Sequence, residues 1–481
     1  MSQKERPDIL VFFSDQHNAL CTGYGGDDVV RTPNLDRLAR QGTAFDAAYT
    51  SCPLCVPARM SMLTGQLPSR TGIFFNSGVI AGDQATFLHA LGAEGYETVL
   101  CGRMHFMGPD QRHGFTRRIM GEMTPLFWGR GGHRRTDLGP YVQTFSQARC
   151  LEVIGGGTSP VLEYDRQVVA AACEYLDRDH DRPQCLVVGT YGPHFSYVAP
   201  PHLYRYYRDH VQAPVTWERD PDYQHPVVRR RELTADRETA MRARAAYYGM
   251  VETIDSQVGQ VREAWQDYLE RTGRPGCFLY VSDHGDQIGE RNLYGKQTLF
   301  EGSARVPFVI EGDGIQTDAR WTDPVSLMDV GPTLCELASA PLPPDQDGVS
   351  LHRLLQGSAT DSGRAVISEF MDDMDDGPVP ARMVRQGTMK LIRYHGYDDH
   401  DLLFDLARDP HELTNLSTAL PRERERLRRL LVQGWDPERA VSMVRTHRRH
   451  TALLARWGEA VDVPEPERWK VPACCKGLPA E

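Results

Sequence analysis

The sequence predicts an α/β protein: a large, mostly parallel sheet sandwiched by helices, with a smaller C-terminal α+β subdomain. Three observations predict it. Short apolar runs alternate with segments of helical periodicity from residue 8 to about residue 310, the pattern of parallel strands covered on both faces. Asp15 and Asp283 lie just past the ends of two of those runs, where sheets of this kind place ligands. After about residue 361 the runs become short and closely spaced, as in an antiparallel meander.

The elements follow in order. Residues 8–14 form an apolar run suited to a buried strand and too short to span a bilayer. Residues 33–41 read as a helix with Thr32 at its N-cap and Gly42 as its stop. A helix is expected over 86–94, a strand over 97–101, a helix over 162–176 and a strand over 185–189. Residues 232–270 carry apolar side chains at helical spacing and predict one long helix. Strands are expected again at 278–281 and 306–310, and the Pro- and Asp-rich residues 341–347 read as a connection. Beyond it come four short strands, at 365–371, 381–386, 389–394 and 402–406, then a strongly charged helix at 422–431. The acidic residues 371–376 read as a solvated loop, without the ligand spacing of an EF-hand. The division expected is a main α/β domain at 1–360 and a subdomain at 361–481 with a short antiparallel sheet, a helix and a tail in which no motif is evident.

Composition narrows the function classes. The chain has 481 residues with 54 Lys+Arg against 65 Asp+Glu, a formal net charge of −11. An acidic balance argues against a phosphate-backbone binder, so no nucleic-acid partner is expected. A local cluster of cations can still hold a small anion. The N-terminus lacks the basic and apolar regions of a signal peptide, and no segment looks transmembrane, so a cytoplasmic protein with no membrane partner is expected. The 11 cysteines are scattered and read as buried thiols in a reducing compartment.

The most informative segment runs from Cys52 to Gly65. Cys52 and Cys55 form a C-x-x-C pair, which can be redox-active or half a zinc site, but no second pair follows at zinc-ribbon spacing. Cys55-Val56-Pro57-Ala58-Arg59, extended through Ser61, Thr64 and Gly65, resembles the C-x-P-x-R maturation motif of the type I sulfatases, formylglycine-dependent enzymes of the alkaline phosphatase superfamily. The resemblance implies that a maturation enzyme oxidises Cys55 to formylglycine, whose hydrate is the nucleophile. A hydrated aldehyde offers two hydroxyls on one carbon, one to attack and one to re-form the carbonyl. The motif would open a helix, whose free N–H groups favour an anion. Arg59, one turn on, would face the same point.

The resemblance also implies a metal site. Asp15 and Gln16 follow the first strand, and Asp283 and His284 follow the strand at 278–281; with Cys55 they would hold one divalent cation, Ca²⁺ favoured and Mn²⁺ or Mg²⁺ also compatible. Many sulfatases have Asp and Asn where this chain has Gln16 and His284, which are instead like the choline-sulfatase and phosphonate monoester hydrolase branch. The stretch Gly95-Tyr96-Glu97-Thr98-Val99-Leu100-Cys101-Gly102-Arg103-Met104-His105-Phe106-Met107-Gly108 is similar to the family's G-Y-x-T-x-x-x-G-K-x-H-x-x-G. Arg103 stands where the family usually has Lys, keeping the charge in a larger, planar group. His105 would contact the second formylglycine hydroxyl and assist its deprotonation.

His194, in Gly192-Pro193-His194-Phe195, and Lys296, in Tyr294-Gly295-Lys296, match the family's remaining cations, which would bind sulfate and neutralise the leaving oxygen. Asn76 falls where the branch has a substrate-binding Asn, and it reads equally as a turn residue. Phe127 and Trp128 lie in a variable region; aromatic groups there can cage a quaternary ammonium, stack on a sugar, hold an aryl group or simply be core. Residues 402–416 resemble the family's L-Y-D-L…D-P-x-E-x-x-N-L signature, so the likeness runs from about residue 7 to about residue 416.

The expectation is a sulfuric ester hydrolase acting on a small anionic sulfate ester, as a homo-oligomer by family likeness. The alternative is a phosphonate monoester or phosphodiester hydrolase using the same site. A third reading is a non-catalytic sulfate- or metal-binding relative in which Cys55 stays unmatured, either free or paired with Cys52.

Overall fold

Every residue of the first apolar run is buried. It forms β1 (Asp8–Asp15), in the middle of an eight-stranded sheet. The computed structural model describes residues 6–123, 149–217, 219–358 and 363–461. The sheet's other strands are β2 (Thr43–Phe45), β3 (Glu97–Gly102), β4 (Arg117–Met120), β5 (Gln184–Pro193), β6 (Gly276–Ser282), β7 (Phe308–Gly312) and β8 (Ala319–Trp321). Their spatial order is β8-β2-β7-β6-β1-β5-β3-β4. All run one way except β7, which is antiparallel to both neighbours. The reason lies in the connection. No long helix carries the chain back after β6, so β7 starts at the end where β6 stops. The linking residues 283–307 therefore stay along one edge of the sheet.

Side chains of β1 alternate between two cores, as period-two geometry requires. Ile9, Val11 and Phe13 pack with α2 (Cys55–Thr64), α3 (Phe87–Ala93) and α6 (Val330–Leu337). Leu10 and Phe12 pack with α1 (Pro33–Gln41), α4 (Pro160–Leu176) and α5 (Arg237–Thr272). The predicted helix and strand at each of these places is present, with ends shifted by a few residues. One cap differs. Thr32 makes no cap to α1; Asp255 of α5 accepts the Asn34 and Leu35 N–H groups at 3.1 and 2.8 Å instead. A carboxylate meets the positive end of the helix better than the hydroxyl, which is turned to Asp36.

The C-terminal part is an antiparallel sheet of β9 (Ala365–Met374), β10 (Gly377–Gln386), β11 (Met389–Tyr394) and β12 (Leu402–Asp405), followed by α7 (Pro421–Val432) and α8 (Pro437–Val461). Two expectations change here. The acidic residues 371–376 are mostly strand: β9 continues to Met374, and Asp372 is buried against Arg231, with a 2.7 Å ion pair. Pairing with β10 and a partly buried cation outweigh the solvation of that charge. The tail without a motif contains α8, 25 residues long, whose Ala440 and Val444 pack on Phe74 and Met371. Its apolar stripe is too narrow to stand out among its charges. Trp128, Phe127, Cys474 and Cys475 lie outside the described residues. Among the described residues the cysteines are all free thiols, and no helix is long and apolar enough to cross a membrane.

Candidate active site

Four adjacent strands, in the order β3-β5-β1-β6, end side by side. Arg103 and His105 follow β3, His194 follows β5, Asp15 closes β1, and Asp283 and His284 follow β6. Two glycines permit the convergence. Gly102 has φ +95°, and a Cβ on Gly189 would stand 1.9 Å from the Arg103 carbonyl oxygen. Only bare backbone lets β3 and β5 approach this closely as the chain swings Arg103 toward Asp15.

Cys55 is the first residue of α2, a helix buried on all sides, as one with little amphipathicity must be. Leu54 at its N-cap offers no polar side chain. Asn76 supplies the acceptor, with its Oδ1 taking the Val56 N–H at 3.0 Å. The Cys55 Sγ lies 3.3 Å from His284 Nε2 and 3.7 Å from Asp15 Oδ1, and Lys296 Nζ donates to it at 2.9 Å. Lys296 also donates to His194 Nε2 at 2.7 Å.

Arg59, fully buried, joins the two carboxylates. Its Nη2 donates to Asp15 Oδ2 at 3.0 Å and its Nε to Asp283 Oδ2 at 2.9 Å, over the Phe13 ring. Burial alone would raise the Asp15 carboxyl, but Arg103, with Arg59 and Lys296, holds it well below the usual carboxylate range. Burial, with Asp15 beside it, pushes the Cys55 thiol up against the pull of Lys296. Burial holds His284 down at about 4, so its ring is neutral.

The residues present fit a hard divalent cation. Asp15, Cys55, Asp283 and His284 bring ligand atoms within 4.8 Å of one another, all buried. His284 Nδ1 lies 3.1 Å from the Gly285 carbonyl, which takes the ring N–H and leaves the Nε2 lone pair turned to the cluster. The Gln16 Oε1 is a buried oxygen with no hydrogen-bond partner, while Nε2 of the same amide donates to Asp286 at 2.6 Å. Gln16 has φ +70°, held by Asp283 at its N–H and by the Tyr247 hydroxyl at its carbonyl. An L-residue there costs about 1 kcal/mol or more, a strain that the surrounding bonds sustain.

All the predicted residues among the described ones meet at this edge or next to it. Sequence reasoning missed four that support them. Asp286 orients the Gln16 amide and accepts the Tyr197 hydroxyl at 2.9 Å. Glu122 pairs with Arg103, and Tyr191 lies under its guanidinium. Asp165 of α4 accepts the Tyr191 and Gly192 N–H groups at 2.6 and 2.7 Å, shaping the chain before His194. Asp286 stood three residues after Asp283 and was open to recognition; the other three have no local signal.

Burial raises the Asp165 carboxyl to about 7 despite the two N–H donors. A raised acid pKa means that, between about pH 4 and 7, the folded state keeps a proton the unfolded chain has lost. The contribution is fully present below about pH 4 and is lost as pH rises through 7, at up to ~1.4 kcal/mol per pH unit. Asp165→Asn is expected to flatten that part of a urea-unfolding profile against pH; an unchanged slope would rule the assignment out.

The family profile described as "Sulfatase" matches residues 7–340, and that described as "N-sulphoglucosamine sulphohydrolase, C-terminal" matches residues 289–432. The chain belongs to the sulfatase family. It is 36% identical over 436 residues to a choline-sulfatase of Rhizobium meliloti, covering 86% of this chain and 82% of that one. It is 28% identical to an arylsulfatase of Clostridium perfringens, covering 85% and 90%. In fold it is similar to the phosphonate monoester hydrolase of Agrobacterium radiobacter, with a TM-score of 0.71 at 21% identity over 92% of this chain and 96% of that one. This sulfatase is therefore a sulfuric ester hydrolase on an alkaline-phosphatase-like α/β scaffold.

Proposed function

We propose that this sulfatase hydrolyses the sulfate monoester of a small organic substrate, with a nucleophile derived from Cys55 and one divalent cation. The observation that carries the reading is the position of Cys55, at the first turn of a buried helix among Asp15, Asp283, His284 and Lys296. Oxidised to formylglycine by a maturation enzyme, residue 55 would present a hydrated aldehyde where helix N–H groups favour a tetrahedral anion. A cation held by Asp15, Gln16, Asp283, His284 and residue 55, Ca²⁺ favoured over Mn²⁺ or Mg²⁺, would lower the pKa of a hydroxyl beside it. Lys296 and His194 bind the anionic oxygens and neutralise charge on the leaving oxygen. Arg59 and Arg103 keep the Asp15 carboxylate ionised and in place, and His105 contacts the reacting group. Asn76 is assigned to the rest of the substrate, and so, on the sequence alone, is Trp128, which lies outside the described residues. The choline-sulfatase relative supports a choline-type sulfate ester as the first substrate to try. The same reading takes the protein as cytoplasmic and homo-oligomeric, and the exposed Leu453, Trp457 and Val461, spaced one turn apart on α8, support association of copies.

The test compares choline sulfate and an aryl sulfate with an aryl phosphonate monoester on one preparation. A large kcat/KM excess for a sulfate is expected. A phosphonate preference would overturn the named substrate class and leave the nucleophile standing. The metal has its own test. Ca²⁺ added to metal-depleted protein is expected to stabilise it by roughly 3 kcal/mol at 100 times Kd, read as a thermal shift that Asp283→Asn removes. Equal shifts in both proteins would place the ion elsewhere.

A further inference from the structure

The three histidines of the site do not present the same atom. His284 and His194 each set Nδ1 against a backbone carbonyl, of Gly285 at 3.1 Å and of Phe195 at 2.6 Å. A carbonyl only accepts, so Nδ1 carries the hydrogen and Nε2 carries the lone pair. His105 is reversed. Its Nδ1 lies 2.8 Å from Arg103 Nη2, and a guanidinium only donates. Nδ1 of His105 is therefore the acceptor, and the hydrogen of the neutral ring sits on Nε2.

The guanidinium that imposes this is clamped on every side. Its Nε donates to Asp15 Oδ2 at 2.7 Å, its Nη1 to Glu122 Oε1 at 3.1 Å, and it lies 4.2 Å over the Tyr191 ring. Arg103 and Glu122 are both fully buried. Glu122 also holds the other partner: its Oε2 accepts the His105 backbone N–H at 3.2 Å, and its Oε1 the Met123 N–H at 3.0 Å. His105 has φ +59°, a left-handed conformation that an L-residue keeps only when its surroundings hold it. One carboxylate thus fixes both ends of the Arg103–His105 contact, the donor's plane and the acceptor's backbone.

We infer that Glu122 is a positioning residue of this hydrolase, which through Arg103 locks His105 as the Nε2–H tautomer, so that His105 meets the reacting group as a hydrogen-bond donor and not as a base. The inference rests on the hydrolase reading above for its catalytic meaning, while the tautomer itself does not. A hydrogen-bond donor suits a histidine facing the oxygens of a sulfuryl group. It departs from the deprotonating role that the family likeness implies for His105.

The test reads both parts. In ¹⁵N-histidine-labelled wild-type protein, with the His105 signal assigned by its disappearance in His105→Gln, two-bond ¹H–¹⁵N correlations are expected to show unprotonated Nδ1 and protonated Nε2. The opposite pattern overturns the inference whatever the activity, and the measurement needs no substrate. Glu122→Gln is expected to lower kcat on the order of 100-fold with KM changed less than about threefold, as loss of an outer-sphere partner does, and to move the His105 Nδ1 signal toward a mixture of tautomers. A Glu122→Gln enzyme with wild-type kcat and an unmoved His105 signal overturns it. Should Glu122→Gln fail to fold, the wild-type spectrum still decides. Should the wild type hydrolyse no sulfate ester, the hydrolase reading falls while the spectrum reports separately on the lock.

Discussion

Cys55→Ala is expected to lower kcat/KM for a sulfate ester by roughly 10⁴–10⁶-fold, the range seen when a nucleophile is deleted and binding groups remain. The folded state should survive. The thiol contributes one sulfur between Asp15, His284 and Lys296, and α2 is anchored by Val56, Ala58, Met60, Met62 and Leu63 in the main core. Alanine is also a good residue for a helix's first turn. Urea unfolding of the variant should give an unchanged slope and a midpoint close to wild type. Activity within tenfold of wild type in a well-folded Cys55→Ala protein would falsify the nucleophile assignment.

Lys390→Met is expected to destabilise the protein by about 3–5 kcal/mol, the usual effect of removing one partner from a buried ionic cluster. Lys390 on β11 is fully buried, with its Nζ 2.8 Å from Glu301 Oε1 and 2.8 Å from Glu412 Oε1. Both carboxylates are buried as well, and the Glu301 N–H donates to Glu412 Oε2 at 2.9 Å. Met matches the stem of Lys and removes the charge alone, leaving two carboxylates facing each other without it. The cluster also joins the C-terminal sheet to the segment that carries Lys296, five residues before Glu301. Denaturant midpoints measure the loss. A change below about 1 kcal/mol would mean that water or the nearby Arg residues replace the ammonium.

Much of this was legible in the sequence because the signals were local. The run 8–14 is apolar at every position but its polar ends, and a strand buried on both faces cannot be written otherwise. The α2 segment carries its own chemistry within a few residues: Cys55 at the first position, Pro57 in the first turn where its missing N–H costs nothing, Arg59 one turn on, and Gly65 at φ +68° to close the helix. Asp15-Gln16 and Asp283-His284 were recognisable by position after strands. The reversed direction of β7 was not legible. Its residues read as any buried strand, and direction depends on where the preceding connection ends.

The supporting residues were hidden for a similar reason. Glu122, Asp165 and Lys390 sit in stretches with no motif, and a charged residue in an isolated sequence reads as solvated surface. Only the fold puts Glu122 beside Arg103, Asp165 beneath the turn before His194, and Lys390 between two glutamates from distant segments. The sequence by itself determined the α/β class, the nucleophile position and the residues that first touch it, because hydrophobic periodicity and short motifs are properties of neighbouring residues. The tertiary structure alone decided which buried charges face which. Those facts depend on donors and acceptors brought together from up to 270 residues apart, and a hydrogen bond or ion pair has no trace in the chain until folding places its second partner.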